Sequence, residues 1–430
     1  MSESPTATGE IDKAHLWHPF TQHRDWGAPE HEPMVLVSGQ GAMLRDDFGR
    51  EYLDGNSSIW TNLHGHRHPK IDAAIRAQLD QVAHVSFLGF THPPAAELAR
   101  QLVALWPAGS LTRVFFSDDG STAIEVALKM AAQFWQQTGH PQRTRFVAFT
   151  GAYHGDTMGA SSLGGIAAFH GKFSAWQFPA EHVPTMDALR ALDAKTIAAV
   201  AIEPLIQGAA GMRLWPRGML AELRRWCTEH GVLLILDEVM TGFGRTGKMF
   251  ASEHEGVIPD LIALAKGLTG GYLPLAATLT TERIFEAFLG GAEKTLYYGH
   301  SYTANPLGCA AALASLAIFR EERVLETLSG KIAHLTALLE RLRALPCVGE
   351  VRQCGFIAGI ELRQANGQAF PPAELIGAKV CLAARNRGLL TRPIRDTIVL
   401  MPPYCITEGQ LEQACMALSG AIEEACGERR

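Results

Sequence analysis

The sequence contains no pair of cysteines at CxxC spacing, although it has eight cysteines in 430 residues. Several of them lie in apolar helical patterns, which indicates reduced thiols of the core and argues against a disulfide framework. An excess of positive charge is also absent, because 38 lysines and arginines are outnumbered by 44 acidic residues and the net charge is −6. Without a generally basic surface the chain is not expected to bind nucleic acid, and small-molecule partners are favoured.

No hydrophobic run approaches the length of a membrane span, and the N-terminal stretch MSESPTATGEIDKAH lacks the apolar centre of a signal peptide. We therefore expect a cytoplasmic protein with no membrane partner. Hydrophobic residues make up 47% of the chain, which is enough for one large core or for two domains that share a crevice.

The stretch from Gly231 to Lys266 organises the rest of the chain. The run GVLLILDEV is continuously apolar until two acids close it, which is typical of a parallel strand that is buried on both faces. Asp237 then lies at the carboxyl end of a strand, where open α/β sheets bind their ligands. Lys266 ends a second apolar run, IALA, and occupies the same kind of position.

An acid and a buried amine that face one crevice suit an enzyme that uses pyridoxal phosphate. Burial lowers the pKa of a lysine amine and makes it a usable nucleophile towards the cofactor aldehyde. A carboxylate can pair with the protonated pyridine nitrogen and keep the ring an electron sink. The alternative is an ordinary salt bridge between two strand ends, and the spacing alone leaves both interpretations open.

Strands and helices alternate over roughly residues 70 to 280, which predicts one doubly wound α/β domain. Within it, TRVFF predicts a strand, and a helix begins in SDDGST near Gly120 and Ser121. The free N–H groups of that helix start could bind an anion, or the turn could serve only as a cap. A second strand leads to a glycine-rich turn with Tyr153, whose aromatic side chain could stack on a planar cofactor.

Two motifs invite interpretations that we do not favour. The cluster HGHRHP suggests a metal, but Gly65 and Pro69 favour a loop with incidental histidines, so no metal site is predicted. The loop GFGRTGK satisfies both GxGxxG and GxxxxGK. However, Met249 stands where a P-loop needs Ser or Thr, and no helix clearly opens on the third glycine. Nucleotide binding is therefore only the runner-up.

The remainder predicts a smaller α+β domain. A polar loop, HSYTANP, precedes a long apolar helix, and its Ser301 and Thr303 could reach a phosphate or could cap that helix. Short strands and helices alternate from about Glu321 onward. Among them Arg392 is a candidate clamp for a carboxylate, because a guanidinium offers two parallel donors, although a surface arginine is the alternative.

Taken together, five motifs resemble the class III pyridoxal phosphate aminotransferases of fold type I: DGSTAIEVALKMA, YHGDT, ILDEVMTGFGRTGK, ALAKGLTGGYLPLAAT and HSYTANPLGCAAA. The match runs in order over nearly the whole chain. The segments HLWHPFTQ, SSIWTNLHGH and TRP…LMPPY narrow it to the 7,8-diaminononanoate synthases of biotin biosynthesis. The resemblance implies an enzyme that transfers an amino group to 8-amino-7-oxononanoate.

The resemblance also implies the fold and its division. It predicts a large doubly wound domain and a smaller α+β domain that is built from both termini. Residues 1–66 are expected to form an N-terminal segment and part of the small domain. Residues 67–320 are expected to form the large domain that binds pyridoxal phosphate, and residues 321–430 the C-terminal small domain.

Catalytic and cofactor-binding roles carry over by matching motif. Lys266 is implied as the lysine that attaches to the cofactor and moves the proton, Asp237 as the partner of the pyridine nitrogen, and Tyr153 as the residue that stacks on the ring. The phosphate would be held by residues from two subunits, so that a homodimer is implied: Gly120 and Ser121, with His300 and Ser301 of the partner subunit.

Substrate-binding roles are implied for a second set. Arg392 would bind the substrate carboxylate, Gly299 would contact substrate, and Trp60 would line the pocket. Phe20 and Ile59 stand where enzymes that use S-adenosylmethionine typically have a tyrosine and a tryptophan. The pairing resembles the branch that uses lysine, which we favour, but the amino donor stays open. The rival within enzymes is another class III aminotransferase that acts on ω-amino acids.

Overall fold

A computed structural model describes residues 7–427 of the chain, which contain seventeen strands and fifteen α-helices. The strands are β1 (Leu36–Gln40), β2 (Met43–Asp46), β3 (Glu51–Asp54), β4 (Arg113–Ser117), β5 (Arg145–Phe149), β6 (Ala180–Val183), β7 (Ile197–Ile202), β8 (Ile206–Gln207), β9 (Arg213–Leu214), β10 (Leu233–Asp237), β11 (Leu261–Leu264), β12 (Ala276–Thr280), β13 (Val348–Cys354), β14 (Ile357–Leu362), β15 (Leu389–Leu390), β16 (Pro393–Ile394) and β17 (Thr397–Leu400). The helices are α1 (Ala7–His15), α2 (His23–Trp26), α3 (Ser57–Trp60), α4 (Pro69–Leu79), α5 (Pro93–Ala104), α6 (Gly120–Gln137), α7 (Met158–Ser162), α8 (Ala167–His170), α9 (Met186–Arg190), α10 (Met219–His230), α11 (Glu282–Ala287), α12 (Pro306–Glu321), α13 (Val324–Arg343), α14 (Ile376–Arg385) and α15 (Glu408–Gly427).

A seven-stranded sheet forms the centre of the molecule, with the strand order β4-β12-β11-β10-β7-β5-β6. The pairs β11–β10, β10–β7, β7–β5 and β5–β6 are parallel, and β12 runs antiparallel to both of its neighbours. Every residue of β7, β10 and β11 is buried. The predicted parallel strand that ends on Asp237 is therefore the central strand of the sheet.

Helices cover both faces of this sheet. Along β10, Leu233 and Ile235 belong to the apolar core that contains the buried side of α6, whereas Leu234 and Leu236 belong to the core that contains the buried side of α10. Successive side chains of a strand point to opposite faces, so a strand that is apolar throughout needs a cover on each face. The doubly wound arrangement expected from the sequence is confirmed.

Helix α6 begins where the sequence predicts it, and its start has a definite cause. The side chain of Asp119 accepts a hydrogen bond from the backbone N–H of Thr122 at 2.8 Å, and the Thr122 hydroxyl accepts one from the N–H of Asp119 at 2.9 Å. This reciprocal capping box satisfies two donors at the helix end. The first helical residues are then Gly120 and Ser121, directly after the turn that follows β4.

One of the smaller sheets joins the two ends of the chain. Strands β1, β2 and β3 form an antiparallel meander, and β15 adds to it in parallel with β3, with Leu53 opposite Leu389. Strands β13, β14, β17 and β16 form a second antiparallel sheet. The α/β class with an additional α+β part made from both termini is thus confirmed, whereas the boundaries at residues 66/67 and 320/321 stay a prediction.

Several smaller expectations concern side chains outside the large sheet. All eight cysteines lie within the described residues, and four of them are free and buried, namely Cys227, Cys309, Cys381 and Cys415. In residues 7–427 no helix is both long and apolar enough to cross a membrane. The same residues contain no cluster of three His, Cys, Asp or Glu side chains that could hold a metal. In HGHRHP, His64 instead lies 3.0 Å from the Ser315 hydroxyl.

Candidate active site

A cavity of about 730 Å³ opens at the carboxyl ends of β7 and β10 and beside the residues that follow β11. Parallel strands place the residues that follow them at one edge of the sheet, which is why residues distant in sequence meet here. The cavity is lined by most of the side chains singled out from the sequence: Phe20, Ile59, Trp60, Gly120, Ser121, Tyr153, Asp237, Lys266 and Arg392.

Lys266 lies two residues beyond the end of β11, with a left-handed backbone at φ 43°. Its Nζ atom is 4.9 Å from the centre of the Trp60 ring. Burial lowers the pKa of the Lys266 amine, and the negative charges of Asp237 and Glu203 offset only part of that shift. A lysine with a lowered pKa holds a larger fraction of its amine unprotonated, which is the nucleophilic form.

Asp237 is the last residue of β10 and is 5% exposed. Its Oδ2 atom lies 2.7 Å from Nδ1 of His154, and its Oδ1 atom accepts a hydrogen bond from the backbone N–H of Val239 at 3.1 Å. Burial acts to lower the pKa of His154, but the hydrogen bond and charge of Asp237 outweigh it, so the pKa is raised. The two hydrogen bonds therefore hold the Asp237 carboxylate in a fixed orientation.

Tyr153 lies in the turn after β5, on the cavity wall. Its hydroxyl donates a hydrogen bond to Asp156 at 2.6 Å, and its ring is stacked on that of His170 with 5.8 Å between centres and 13° between planes. The pKa of Tyr153 is raised, first by burial and then by the bond to Asp156. The phenol therefore stays neutral, and the ring is held from two sides.

Glu203 follows β7 and also lines the cavity. Its carboxyl group accepts hydrogen bonds from the backbone N–H groups of Tyr153 at 3.2 Å and Gly208 at 2.9 Å. Burial raises the pKa of Glu203 to about 7, and the charge of Asp237 adds to the shift. This carboxyl group positions the turn that carries Tyr153.

The first turn of α6 forms the end of the cavity that suits an anion. Among the described residues, neither the N–H of Gly120 nor that of Ser121 has a hydrogen-bond acceptor. A Cβ atom on Gly120 would lie 2.7 Å from Cγ1 of Val239, so only glycine fits at this position. Free N–H groups at the start of an 18-residue helix are a suitable site for a phosphate.

The opposite side of the cavity is apolar and carries two exposed guanidinium groups, those of Arg392 and Arg395. Phe20 has a left-handed backbone, with φ 52°, and its ring lies edge-on to that of Phe169 with 5.6 Å between centres. Ile59 and Trp60 extend this wall. Arg392 is exposed at the cavity. The guanidinium is thus available to a carboxylate of a bound molecule.

Three predicted residues lie outside this cavity in the single chain: Gly299, His300 and Ser301. The Nδ1 atom of His300 is 3.0 Å from Asp118 Oδ2, and the Ser301 side chain is exposed. The polar loop also does not cap α12 through Ser301 or Thr303, because the side chain of Asn305 accepts from the N–H of Gly308 there. Their expected role in the cavity of a partner subunit stays a prediction.

The loop GFGRTGK makes contacts within the protein interior. Arg245 is completely buried and donates hydrogen bonds to the carbonyl oxygens of Pro402 at 2.8 Å and Asn62 at 3.2 Å. Residues 241–246 are all buried, and no α-helix of the described chain begins in the loop. The buried loop leaves no open site for a nucleotide, so the geometry supports the interpretation of GFGRTGK as a structural loop.

The sequence had not singled out His154 and Asp156 as functional. Both belong to the motif YHGD. Tyr153 by itself accounts for a functional role of this motif, so the sequence gives no separate reason to select His154. The partner of His154, Asp237, is 83 positions away in sequence. Glu203 was not singled out from the sequence either. One general signal could have found it, namely that a titratable residue lies at the end of each of three buried apolar strands or within two residues of it.

Comparison with known proteins gives the family. The model of the aminotransferase class-III family matches residues 26–422. An adenosylmethionine-8-amino-7-oxononanoate aminotransferase of Nitratidesulfovibrio vulgaris is 51% identical over 96% of this chain and 81% of that relative. The enzyme of the same name from Geobacter sulfurreducens is 45% identical over 97% of both chains.

Two solved structures extend the likeness to three dimensions. The adenosylmethionine-8-amino-7-oxononanoate aminotransferase of Methanocaldococcus jannaschii superposes with a TM-score of 0.94 at 41% identity, over 97% of this chain and 98% of that chain. A PLP-bound amine transaminase from an uncultivated Pseudomonas species has a TM-score of 0.88 at 35% identity, over 96% and 99%. The fold class expected from the resemblance, that of the fold type I transferases, is confirmed. This chain belongs to the class III aminotransferase family.

Proposed function

We propose that this aminotransferase uses pyridoxal phosphate to convert 8-amino-7-oxononanoate to 7,8-diaminononanoate, a step of biotin biosynthesis. The observation that carries the proposal is the pair Lys266 and Asp237 at neighbouring strand ends in one cavity. The acceptor is supported by the printed names of relatives that are 45% and 51% identical over nearly the whole chain.

The cavity has the donors and acceptors that pyridoxal phosphate requires. The Lys266 amine would bind the aldehyde, the Asp237 carboxylate would bind the ring nitrogen, and the first turn of α6 would bind the phosphate. The Tyr153 ring would lie against the pyridine ring. When it is bound, the cofactor supplies an electron sink that stabilises negative charge at the substrate carbon.

Each residue of the chain then has a definite task. Lys266, whose pKa is lowered, would hold the cofactor and would carry a proton to and from the reacting carbon. Asp237, oriented by His154, would hold the proton on the ring nitrogen. The wall formed by Phe20, Ile59 and Trp60 excludes water, and Arg392 binds a substrate carboxylate. The amino group first leaves the donor and is then delivered to the ketone, in two half-reactions.

Two amino donors are candidates, and different observations favour each. The names of the relatives specify adenosylmethionine as donor. Phe20 and Ile59 lie on the cavity wall and favour lysine, the donor of the branch that they resemble. The purified holoenzyme should be assayed with both amines at equal concentration. The donor with the higher kcat/KM is assigned, and activity with neither would reject both candidates.

The proposed enzyme is a cytoplasmic homodimer in which Gly299, His300 and Ser301 complete the partner's cavity. Sedimentation should give twice the chain mass of 46.6 kDa. Mixing Lys266→Ala with a Ser301→Ala/His300→Ala variant should restore activity, because one of the two cavities of a mixed dimer is then intact. Active monomers, or a mixture that stays inactive, would contradict the shared site.

Lys266→Ala tests the central proposal. The variant should lose both the visible absorbance of bound cofactor and the conversion of 8-amino-7-oxononanoate, because the amine that performs both tasks is absent. A variant that stays yellow and active would refute the role of Lys266. Higher activity of the wild type with simple keto acids would favour a different class III aminotransferase, and tight binding of ATP or NAD without the cofactor would favour the nucleotide alternative.

A further inference from the structure

Four consecutive residues, two of which line the cavity, have a backbone that residues other than glycine rarely adopt. Ser57, Ser58, Ile59 and Trp60 have φ angles of 47°, 61°, 158° and 67°. Each such residue raises the free energy of the chain, and strain of this kind persists only where the surroundings enforce it. The run includes two residues of the cavity wall, Ile59 and Trp60.

The carboxylate of Asp54 is the group that enforces this backbone. Asp54 is 2% exposed at the end of β3. Its Oδ1 atom accepts hydrogen bonds from the N–H groups of Asn56 at 3.3 Å and Ser58 at 2.9 Å, and its Oδ2 atom accepts one from the Ser58 hydroxyl at 3.0 Å. The Asn56 side chain in turn accepts from Nε1 of Trp60 at 2.8 Å.

A chain of hydrogen bonds behind Asp54 has only one possible polarity. The N–H of Gly65 donates to Oδ1 of Asn62 at 2.8 Å, so Nδ2 of Asn62 donates to Nδ1 of His66 at 3.0 Å. His66 must then carry its proton on Nε2, which lies 3.0 Å from Oδ2 of Asp54. Every group that approaches Asp54 is therefore a donor, and only a carboxylate accepts all of them.

We propose that Asp54 is a positioning residue for substrate selection, which holds residues 57–60 in the left-handed backbone that presents Ile59 and Trp60 to the bound substrate. The proposal rests on the proposed function, because it requires that the cavity binds an amine donor and a keto acceptor. Asp54 itself touches neither the groups proposed to hold the cofactor nor the cavity. Its loss should therefore affect substrate binding more than cofactor binding.

The first variant is Asp54→Asn. An amide has one acceptor oxygen, so it cannot accept both from the backbone N–H groups that meet Oδ1 and from the Ser58 hydroxyl and His66 that meet Oδ2, and the turn loses at least one bond that opposes its strain. We expect faster hydrogen exchange in the segment 54–66 and a KM for the amine donor that is raised about tenfold or more. The affinity for pyridoxal phosphate should change by less than about threefold.

Two further variants separate strain from a general loss of structure. Ser58→Gly in the Asp54→Asn background should recover most of the KM, because glycine adopts φ near 61° without strain and needs no clamp. Ser58→Ala removes only the hydroxyl bond to Asp54 and should shift the same quantities in the same direction by less. If the Asp54→Asn variant does not fold, hydrogen exchange and KM of the Ser58→Ala variant test the proposal instead.

Asp46→Asn is the matched control. Asp46 is also buried, 1% exposed, and it accepts from the N–H groups of Phe48 at 3.1 Å and Arg50 at 2.9 Å in a tight turn. None of these residues lines the cavity. The control should lower the melting temperature and leave KM unchanged.

Three results would overturn the proposal: unchanged exchange and KM in Asp54→Asn, equal effects of the Asp54 and Asp46 variants on KM, or no recovery on adding Ser58→Gly. A wild type that is inactive towards 8-amino-7-oxononanoate would refute the proposed function instead. The role of Asp54 is then decided by hydrogen exchange and by the half-reaction with any amine donor that changes the absorbance of the bound cofactor.

Discussion

The second acid of the run LDEV predicts a pH-dependent loss of stability. Glu238 directly follows Asp237, but its side chain is completely buried away from the cavity. It accepts hydrogen bonds from the Thr241 hydroxyl at 2.8 Å, from the N–H of Ala251 at 2.8 Å and from the N–H of Ser252 at 2.9 Å. These bonds close the loop that contains GFGRTGK.

Burial raises the pKa of Glu238 from 4.5 to about 7, although the three hydrogen bonds act in the opposite direction. Between pH 4.5 and 7 the folded chain therefore binds more protons at this site than the unfolded chain. Stability conferred by the protonated group is fully present below pH 4.5 and is lost as the pH rises to 7. The shift corresponds to roughly 3 kcal/mol in total.

The variant Glu238→Gln removes this titration. Urea unfolding of the wild type and the variant is measured at pH 5 and at pH 8. At each pH, the free energy of unfolding of the wild type is subtracted from that of the variant. The contributions of all other titrating groups cancel in this difference. The difference in the free energy of unfolding, variant minus wild type, should be roughly 2–3 kcal/mol higher at pH 8 than at pH 5. The exposed Glu229→Gln serves as the control and should show no such change. A difference for Glu238→Gln that is the same at both pH values would refute the reasoning.

Three further predictions concern the cavity. Asp237→Asn should keep the cofactor, as seen by visible circular dichroism, but lower kcat at least about a hundredfold, because the charge that holds the ring proton is removed; an unchanged kcat would exclude this role. His154→Phe should lower kcat about tenfold by removing one hydrogen bond to Asp237, whereas a change confined to KM would contradict it. Arg392→Met should raise KM about tenfold or more for substrates with a carboxylate but not for simple amines, and equal changes for both kinds would reject the clamp.

The architecture could be predicted from the sequence because its strongest signal is apolar burial. The run GVLLILDEV predicted a strand that is buried on both faces, and β10 is that strand, although it is shorter than the run. Gly231 instead ends α10 with a left-handed backbone at φ 61°, and Glu238 leaves the sheet to make its three hydrogen bonds. Periodicity reports burial and does not show where the backbone turns.

The site was only partly predictable. Lys266 and Asp237 could be selected because each follows an apolar run. His154 could not, because its partner Asp237 is 83 positions away in sequence. Nothing in the segment DGNSSIW shows that its last four residues have positive φ angles. The role proposed for Ser301 involves a second copy of the chain, which no pattern within one chain can locate.

The order of the strands explains why one cavity can combine these groups. Strands β11, β10 and β7 are neighbours, and the residues at or just beyond their carboxyl ends are Lys266, Asp237 and Glu203. An amine thus lies on one side of a carboxylate and a second carboxyl group on the other. If both acids were ionised, they would repel each other at this edge of the sheet. Burial raises the pKa of Glu203 to about 7 and the charge of Asp237 adds to that shift, so protonation of Glu203 relieves the repulsion, while Nδ1 of His154 lies 2.7 Å from the Asp237 carboxylate.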